Sequence, residues 1–125
     1  MDVQYNTRLA MKENDIDNVI DLYNDHRFEL RFDVIFEYFR VGHYLGNRVE
    51  LILTETVEDK KLVGCCAIMY VHEDDKLIAI SLLGLVHRDW RRKQISKILS
   101  KASEMRCQMV KADVIVKVRH KNSKH

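Results

Sequence analysis

Residues 84–99 read GLVHRDWRRKQISKIL, and this segment is the most informative in the sequence. It begins as an apolar strand end, passes through a turn that carries Arg91, Arg92 and Lys93, and continues into a helical pattern of apolar residues. A helix that begins directly after such a turn has unpaired N–H groups in its first turn, and its dipole adds about half a positive charge there. The segment therefore predicts an anion site, and the three cationic side chains favour a pyrophosphate.

The sequence downstream of this turn predicts one long helix and a closing strand. Apolar residues recur at spacings of three and four along residues 95–109, which is the periodicity of one helical face. These residues are Ile95, Ile98, Leu99, Ala102, Met105 and Met109. In residues 112–119 the period changes to two, because Val114, Val116 and Val118 alternate with polar residues, and this indicates a strand.

The sequence upstream of the turn predicts three consecutive antiparallel strands. Residues 49–57 alternate apolar and polar side chains, and two longer apolar runs follow at residues 61–72 and 76–86. The polar break between these two runs is short enough for a hairpin. Both runs are apolar at successive positions, so we expect helices to cover both faces of the sheet.

The N-terminal part of the chain predicts a strand followed by two helices. Residues 5–11 are typical of a short strand, and Asn14 or Asp15 is expected to cap the helix behind it. A second helical pattern begins at Val34 and ends near Gly42. The order βαα-βββ-αβ combines an antiparallel meander with a strand-helix-strand crossover, so the predicted fold class is α+β, mixed α/β.

Length and composition indicate a single domain over residues 1–125, with 46% hydrophobic and 32% charged residues. No apolar run approaches the roughly 18–20 residues that cross a bilayer, so we expect no membrane segment. The N-terminus lacks the basic and apolar regions of an export signal. Cys65, Cys66 and Cys107 fit neither paired disulfides nor zinc-ligand spacing. They predict reduced core thiols, no metal site and a cytoplasmic location.

Charge is distributed unevenly along the chain. Residues 1–86 hold nine basic and sixteen acidic residues, a net charge of −7, whereas residues 87–125 hold twelve basic and three acidic residues, a net charge of +9. Such a basic segment creates a positive potential that favours phosphate-bearing ligands or nucleic acid over cationic ligands. A solvated helix and tail would have the same composition, so charge alone does not identify the ligand.

The run from Val86 to Ser96 resembles the acyl-CoA-binding signature of the GNAT superfamily of N-acetyltransferases. That signature has a valine at the end of a strand, four residues of turn, and then Gln/Arg-x-x-Gly-x-Gly/Ala at the start of a helix. Arg91 stands at the Gln/Arg position, Gln94 at the first glycine and Ser96 at the Gly/Ala position. The order of predicted elements is similar to that of the family over nearly the whole chain.

The resemblance implies a GNAT-like, mostly antiparallel central sheet with helices on both faces, without the last helix and strands of the family. It implies that acetyl-CoA is the co-substrate. The residues implied to hold it are Leu85, Val86, Arg91, Arg92, Lys93, Gln94, Ile95 and Ser96. The first two would bond the pantetheine arm through their main chain and the others would hold the pyrophosphate. A bulge in the preceding strand, which opens the family's active-site slot, is expected at Gly84.

The sequence departs from the family pattern where the family places its reacting side chains. Residues 77–82 contain no carboxylate to act as a general base, and no tyrosine follows the closing strand to act as an acid. His87 and His120 flank the expected site and have the chemistry of a base, but surface histidines in turns are common. We therefore assign no catalytic residue from the sequence.

Two functional hypotheses follow. The first is an N-acyltransferase that moves an acetyl group from acetyl-CoA to an amine acceptor by direct attack of the amine. The alternative is a non-catalytic protein with a GNAT-like fold, whose basic C-terminal third binds nucleic acid or an acidic protein. Under either hypothesis the closing strand is an exposed edge, which predicts a homodimer formed through it.

Overall fold

The computed structural model describes residues 3–11, 13–24, 43–44, 47–91 and 94–117. Within these residues six strands form one sheet. The strands are β1 (Tyr5–Leu9), β2 (His43–Tyr44), β3 (Asn47–Thr56), β4 (Leu62–Glu73), β5 (Lys76–Val86) and β6 (Val114–Lys117). The helices are α1 (Glu13–Asn24) and α2 (Ile95–Met109), with a 3₁₀ turn at Arg88–Trp90 between β5 and α2.

The sheet is mostly antiparallel, with the strand order β1-β3-β4-β5-β6 and β2 paired to β3. Strands β3, β4 and β5 form the predicted meander, and β1 adds antiparallel to β3. Helix α2 connects β5 to β6, which pair in parallel as a crossover requires. The predicted α+β class and central sheet are confirmed. The predicted helix at 34–42 lies outside the described residues.

The hairpin between β4 and β5 is closed by Asp74 and Asp75. Both have positive φ, 52° and 64°. A two-residue loop with this conformation at both positions has the twist that antiparallel strands need, and aspartate tolerates it better than most residues. The turn sets the register in which Glu73 pairs with Lys76.

Each face of the sheet is covered by one of the two described helices. Val19 and Leu22 of α1 belong to one core cluster, together with residues of β3, β4 and β5. Ile95, Leu99 and Cys107 of α2 belong to the cluster on the other face. The prediction that both faces are buried is therefore confirmed. All three cysteines are free and buried within these clusters, and burial raises the pKa of the Cys66 thiol to about 12.

Helix α1 begins earlier than predicted, and Asp15 has a different role. The helix begins at Glu13, so Asp15 lies in its first turn and is not the cap. The buried Asp15 carboxylate accepts two hydrogen bonds from Arg8, at 2.9 and 2.8 Å, and one from the Met11 amide at 2.9 Å. This contact joins α1 to β1. The sequence could not distinguish it from a cap, because an acidic residue at a helix start suits both roles.

A buried group of polar side chains, the Glu50 cluster, joins α2 to the far end of the sheet. It consists of Glu50 on β3, Tyr70 on β4 and Arg106 on α2. The Tyr70 hydroxyl donates to Glu50 Oε1 at 2.7 Å, and Arg106 donates to both carboxylate oxygens at 2.9 and 2.7 Å. Arg48 adds a more exposed contact to Oε2 at 2.7 Å. The bidentate geometry fixes the rotation of α2 on the sheet.

At the opposite end of α2, Gly64 permits a close approach between helix and sheet. A Cβ atom at Gly64 would lie 2.8 Å from Ile95 Cγ2, 3.0 Å from Leu99 Cδ1 and 3.2 Å from the Leu85 carbonyl oxygen. Ile95 is β-branched and only 1% exposed, so it has little freedom to move away. The first turn of α2 therefore rests directly on the β4 backbone.

Gly64→Ala is expected to destabilise the protein by about 1–3 kcal/mol, because an added methyl group overpacks this contact. The free energy of unfolding in urea measures the effect. Gly84→Ala is the matched control, because a Cβ atom there meets nothing within 4 Å. Equal stabilities of the two variants would contradict the assigned contact.

Candidate functional site

The predicted anion site lies where β5 leads into α2. Gln94 is the N-cap of α2, and the Ile98 amide donates to its carbonyl oxygen at 3.1 Å. The amides of Ile95, Ser96 and Lys97 therefore precede the first intrahelical hydrogen bond and have no carbonyl partner within the helix. The Gln94 side chain makes no capping hydrogen bond and the first turn contains no acidic residue. Within the helix, therefore, no group accepts a hydrogen bond from these amides and no negative charge offsets the positive end of the dipole.

The turn before the helix is held by hydrogen bonds and one aromatic contact. The His87 amide donates to the Val63 carbonyl at 2.8 Å, and His87 in turn accepts from the Asp89 amide at Nδ1 (3.1 Å) and from the Trp90 amide at its carbonyl oxygen (2.8 Å). Trp90 packs edge-to-face on Tyr5, with ring centroids 6.0 Å apart. Because Nδ1 already accepts a backbone N–H, His87 serves to shape the turn, and that nitrogen is not available as a base.

Gln94 has a left-handed backbone, with φ 64° and ψ 18°. Only glycine adopts this conformation without steric cost, and other residues lose roughly 1–2 kcal/mol in it. The position that the acyl-CoA signature gives to its first glycine is thus a position where the backbone favours glycine. The Gln94 side chain is exposed, so it extends into solvent at the mouth of the site.

The remaining residues of the predicted site divide by exposure. Ile95 is buried and anchors the helix, so it can offer a ligand only its main chain. Ser96, in the first turn of α2, and Arg91, in the turn before it, are both exposed. Arg92 and Lys93 lie outside the described residues. Among the described residues, no group of acidic, histidine or cysteine side chains could hold a metal ion.

Strand β5 contains a bulge two residues before the position predicted from the sequence. Leu83 pairs with Ala67 and Ser81 pairs with Ile68, so Leu82 is an extra residue without a partner on β4. Gly84 pairs in register with Cys66, and the prediction of a bulge there was wrong. A bulge needs an extra residue rather than a glycine, and residues 77–83, which are apolar except for Ser81, do not reveal where that residue falls.

The bulge coincides with the end of the described pairing between β5 and β6. That pairing runs from Ile78 with Val114 to Ser81 with Lys117. Beyond the bulge, residues 83–86 pair only with β4 within the part of the chain that the structure describes. Among the described residues, the edge of β5 that faces away from β4 is therefore open over residues 83–86.

Hydrogen-bond alternation indicates which main-chain groups face this open edge. The His87 amide donates to Val63, so in the same register Leu85 exchanges its hydrogen bonds with Cys65. The groups of Gly84 and Val86 then point away from β4. The sequence predicted that Leu85 and Val86 bind the pantetheine arm through their main chain. Val86 has its N–H and C=O on the open edge, whereas those of Leu85 are hydrogen-bonded to β4.

The site combines two kinds of main-chain hydrogen-bonding group. An open strand edge can pair with an extended chain that carries amide groups, and it leads directly to a helix N-terminus that suits an anion. No helix of the described residues is long and apolar enough to cross a membrane.

Comparisons with known proteins identify the fold. No family model matches the sequence, and no curated protein matches it. Among solved structures, a GNAT family acetyltransferase from Staphylococcus aureus superposes with a TM-score of 0.72 at 16% identity, over 97% of this chain and 90% of that chain. The chain has the GNAT fold.

Two other solved acetyltransferase structures also superpose on the chain. An aminoglycoside N-acetyltransferase in complex with CoA superposes with a TM-score of 0.74 at 10% identity, over 97% of this chain and 80% of that one. A glucosamine N-acetyltransferase region of a fungal multi-domain enzyme reaches a TM-score of 0.76 at 19% identity, over 98% of this chain. The chain spans only 14% of the length of that multi-domain protein.

Proposed function

We propose that this protein is an N-acyltransferase that moves an acetyl group from acetyl-CoA to an amine. The observation that carries the proposal is the continuity of two features. One is the β5 edge past the Leu82 bulge, which is open among the described residues, and the other is the set of amides at the α2 N-terminus that have no carbonyl partner within the helix. An acyl-CoA has matching parts in the same order, because its pantetheine arm contains amides and its pyrophosphate is an anion. The GNAT fold supports acyl-CoA as the donor.

In this proposal the chain binds the donor mainly through its backbone. Gly84 and Val86 pair with the pantetheine amides, and the amides at Ile95 and Ser96 hold the pyrophosphate. Arg91, Arg92 and Lys93 neutralise its charge, and Gln94 lies at the mouth of the same cradle. The buried side chain of Leu85 holds the strand in place.

The reaction needs little side-chain chemistry once the donor is positioned. The neutral amine attacks the thioester carbonyl, the N–C bond forms and the C–S bond breaks. The proton that the amine loses passes to the departing sulfur, directly or through water, so that CoA leaves as the thiol. Orientation alone supplies much of the rate, and a main-chain N–H near the bulge stabilises the oxyanion. We assign no residue as general acid or base. The buried free thiols suit a reducing compartment, and we place the protein in the cytoplasm.

Thermal denaturation with and without acetyl-CoA tests the function. Selective binding to the folded state at about 100 times the dissociation constant adds about 2.7 kcal/mol, which raises the midpoint by on the order of 10 °C for a domain of this size. Acetyl phosphate, which carries the acetyl group but no pantetheine or pyrophosphate, is the control. An unchanged midpoint with acetyl-CoA would remove the acyltransferase assignment.

Replacing one amide of the cradle is a sharper test of how the donor is held. Ser96→Pro removes the N–H of the second helical residue, and proline is tolerated in a first turn because it replaces no intrahelical bond. We expect at least a tenfold loss of acetyl-CoA affinity, as for a hydrogen bond to a charged group. Ser96→Ala keeps the amide and is expected to bind within about threefold of wild type. Equal affinities of the two variants by calorimetry would exclude the backbone contact.

The alternative, a non-catalytic binding protein, rests on the net charge of +9 over residues 87–125 and on the absence of a glycine at position 94. Binding to a nucleic acid would weaken steeply as salt increases and would not be displaced by CoA. Titration of a fluorescent duplex at low and high salt distinguishes it from the first proposal.

A further inference from the structure

The outer edge of β6 has the features of a strand that pairs with another strand. Among the described residues, β6 pairs only with β5. In a parallel pair, alternate residues turn their N–H and C=O groups to the neighbour, so those of the residues between face outward. Val114, Ile115 and Val116 are 41%, 38% and 42% exposed. Edge strands that avoid association usually carry lysine, proline or a bulge; three of the four residues of β6 are instead apolar and β-branched, and Lys117 is the fourth.

The apolar residues of β6 extend both faces of the core sheet. In parallel register, Ile115 pairs with Ala79, which lies under α2. Val114 and Val116 pair with Ile78 and Ile80 and so lie on the opposite face. A strand added to this edge would cover apolar side chains on both faces at once.

In one register of an antiparallel β6–β6 pair, the described charged residues that flank β6, Asp113 and Lys117, lie opposite each other. In an antiparallel pair of two β6 strands centred on Ile115, Val114 of each copy lies opposite Val116 of the other. Asp113 then lies opposite Lys117, and the twofold axis repeats this pair. The Asp113 carboxylate is held at the start of the strand because it accepts the Leu77 amide at 2.8 Å.

We propose that β6 pairs antiparallel with β6 of a second copy of this chain, in the register centred on Ile115, so that the two sheets form one continuous sheet. The proposal commits to a self-complementary twofold interface that contains two Asp113–Lys117 ion pairs. It does not depend on the proposed acyltransferase activity.

Sedimentation velocity over a concentration series tests the association. The wild-type chain is expected to dimerise below about 100 µM. Lys117→Asp opposes two acidic residues at each end of the interface and is expected to weaken the dimer by on the order of tenfold. Lys101→Asp makes the same charge change on an exposed position of α2 and is expected to leave the dimer unchanged. A wild-type protein that remains monomeric at the highest concentration would overturn the proposal.

A charge swap between two chains tests the register. Asp113→Lys and Lys117→Asp should each associate poorly alone, because like charges face each other across the axis. Mixed together they restore two opposite-charge pairs and should form a heterodimer. If Asp113→Lys does not fold, Ile115→Asp mixed with Ile115→Lys makes the same test at the axis itself. Mixtures that associate no better than their components would rule out this register.

Discussion

Glu50→Ala is expected to destabilise the protein by about 3–5 kcal/mol, because it leaves the partly buried Arg106 guanidinium without its anion. The Glu50 side chain is 7% exposed and that of Arg106 is 23% exposed, so water replaces the lost contact only in part. The Tyr70 hydroxyl also loses its acceptor. Urea unfolding at neutral pH measures the difference in the free energy of unfolding.

Arg48→Ala is the control for this prediction. Arg48 contacts the same carboxylate at 2.7 Å, but its side chain is 62% exposed. Exposed ion pairs typically contribute less than about 1 kcal/mol, so we expect a small loss. If Arg48→Ala costs as much as Glu50→Ala, the buried contact with Arg106 is not the source of the stability.

The same carboxylate gives a pH dependence. Burial acts to raise the pKa of Glu50, but the hydrogen bonds from Arg106 and Tyr70 and the charges of Arg106 and Arg48 outweigh it, so its pKa lies below the usual value. A lowered folded-state pKa means that this stabilisation is complete above the unfolded pKa of about 4.3 and disappears as pH falls through the folded value. Wild type and Glu50→Gln should therefore differ most at neutral pH and converge in acid.

Arg92→Glu combined with Lys93→Glu is expected to abolish acetyl-CoA binding, with a loss of at least about a hundredfold in affinity. The change replaces two cations by two anions that directly precede Gln94 in the sequence. The new carboxylates repel the pyrophosphate and compete with it for the positive end of the helix dipole. Isothermal titration calorimetry with acetyl-CoA measures it. Unchanged affinity would reject the assignment of this turn to the pyrophosphate.

Lys101→Glu combined with Lys111→Glu is the matched control. Both lysines are exposed, one near the middle of α2 and one after its end, and the double change alters the net charge by the same amount. If the control loses as much affinity as the Arg92 and Lys93 pair, the effect comes from the overall field of the protein rather than from the turn.

Periodicity predicted the elements of the fold because each has a long and regular apolar pattern. The stripe from Ile95 to Met109 became α2 with the predicted bounds, and the two long apolar runs became β4 and β5 with helices on both faces. The sequence also predicted the turn between β5 and α2, and the anion site at that turn stays a prediction.

The details that shape the site depend on contacts between distant residues, and the sequence did not show them. The bulge at Leu82 is set by pairing with β4, and a glycine nearby was a misleading signal. Gly64 lies within an apolar run, and only the packing of α2 shows why a side chain is excluded there. Asp15 looked like a cap because its partner, Arg8, lies on another element.

The parallel pairing of β6 with β5 bears on the order in which the molecule assembles. The β4–β5 hairpin joins residues that are neighbours in the chain, whereas Ile78 can meet Val114 only after α2 has formed between them. Non-local contacts of this kind cost more loop-closure entropy and tend to form late. A partly folded chain would therefore contain the meander of β3, β4 and β5 before β6 pairs with β5. The candidate site would then be completed, and able to bind a ligand, only in the last step of folding.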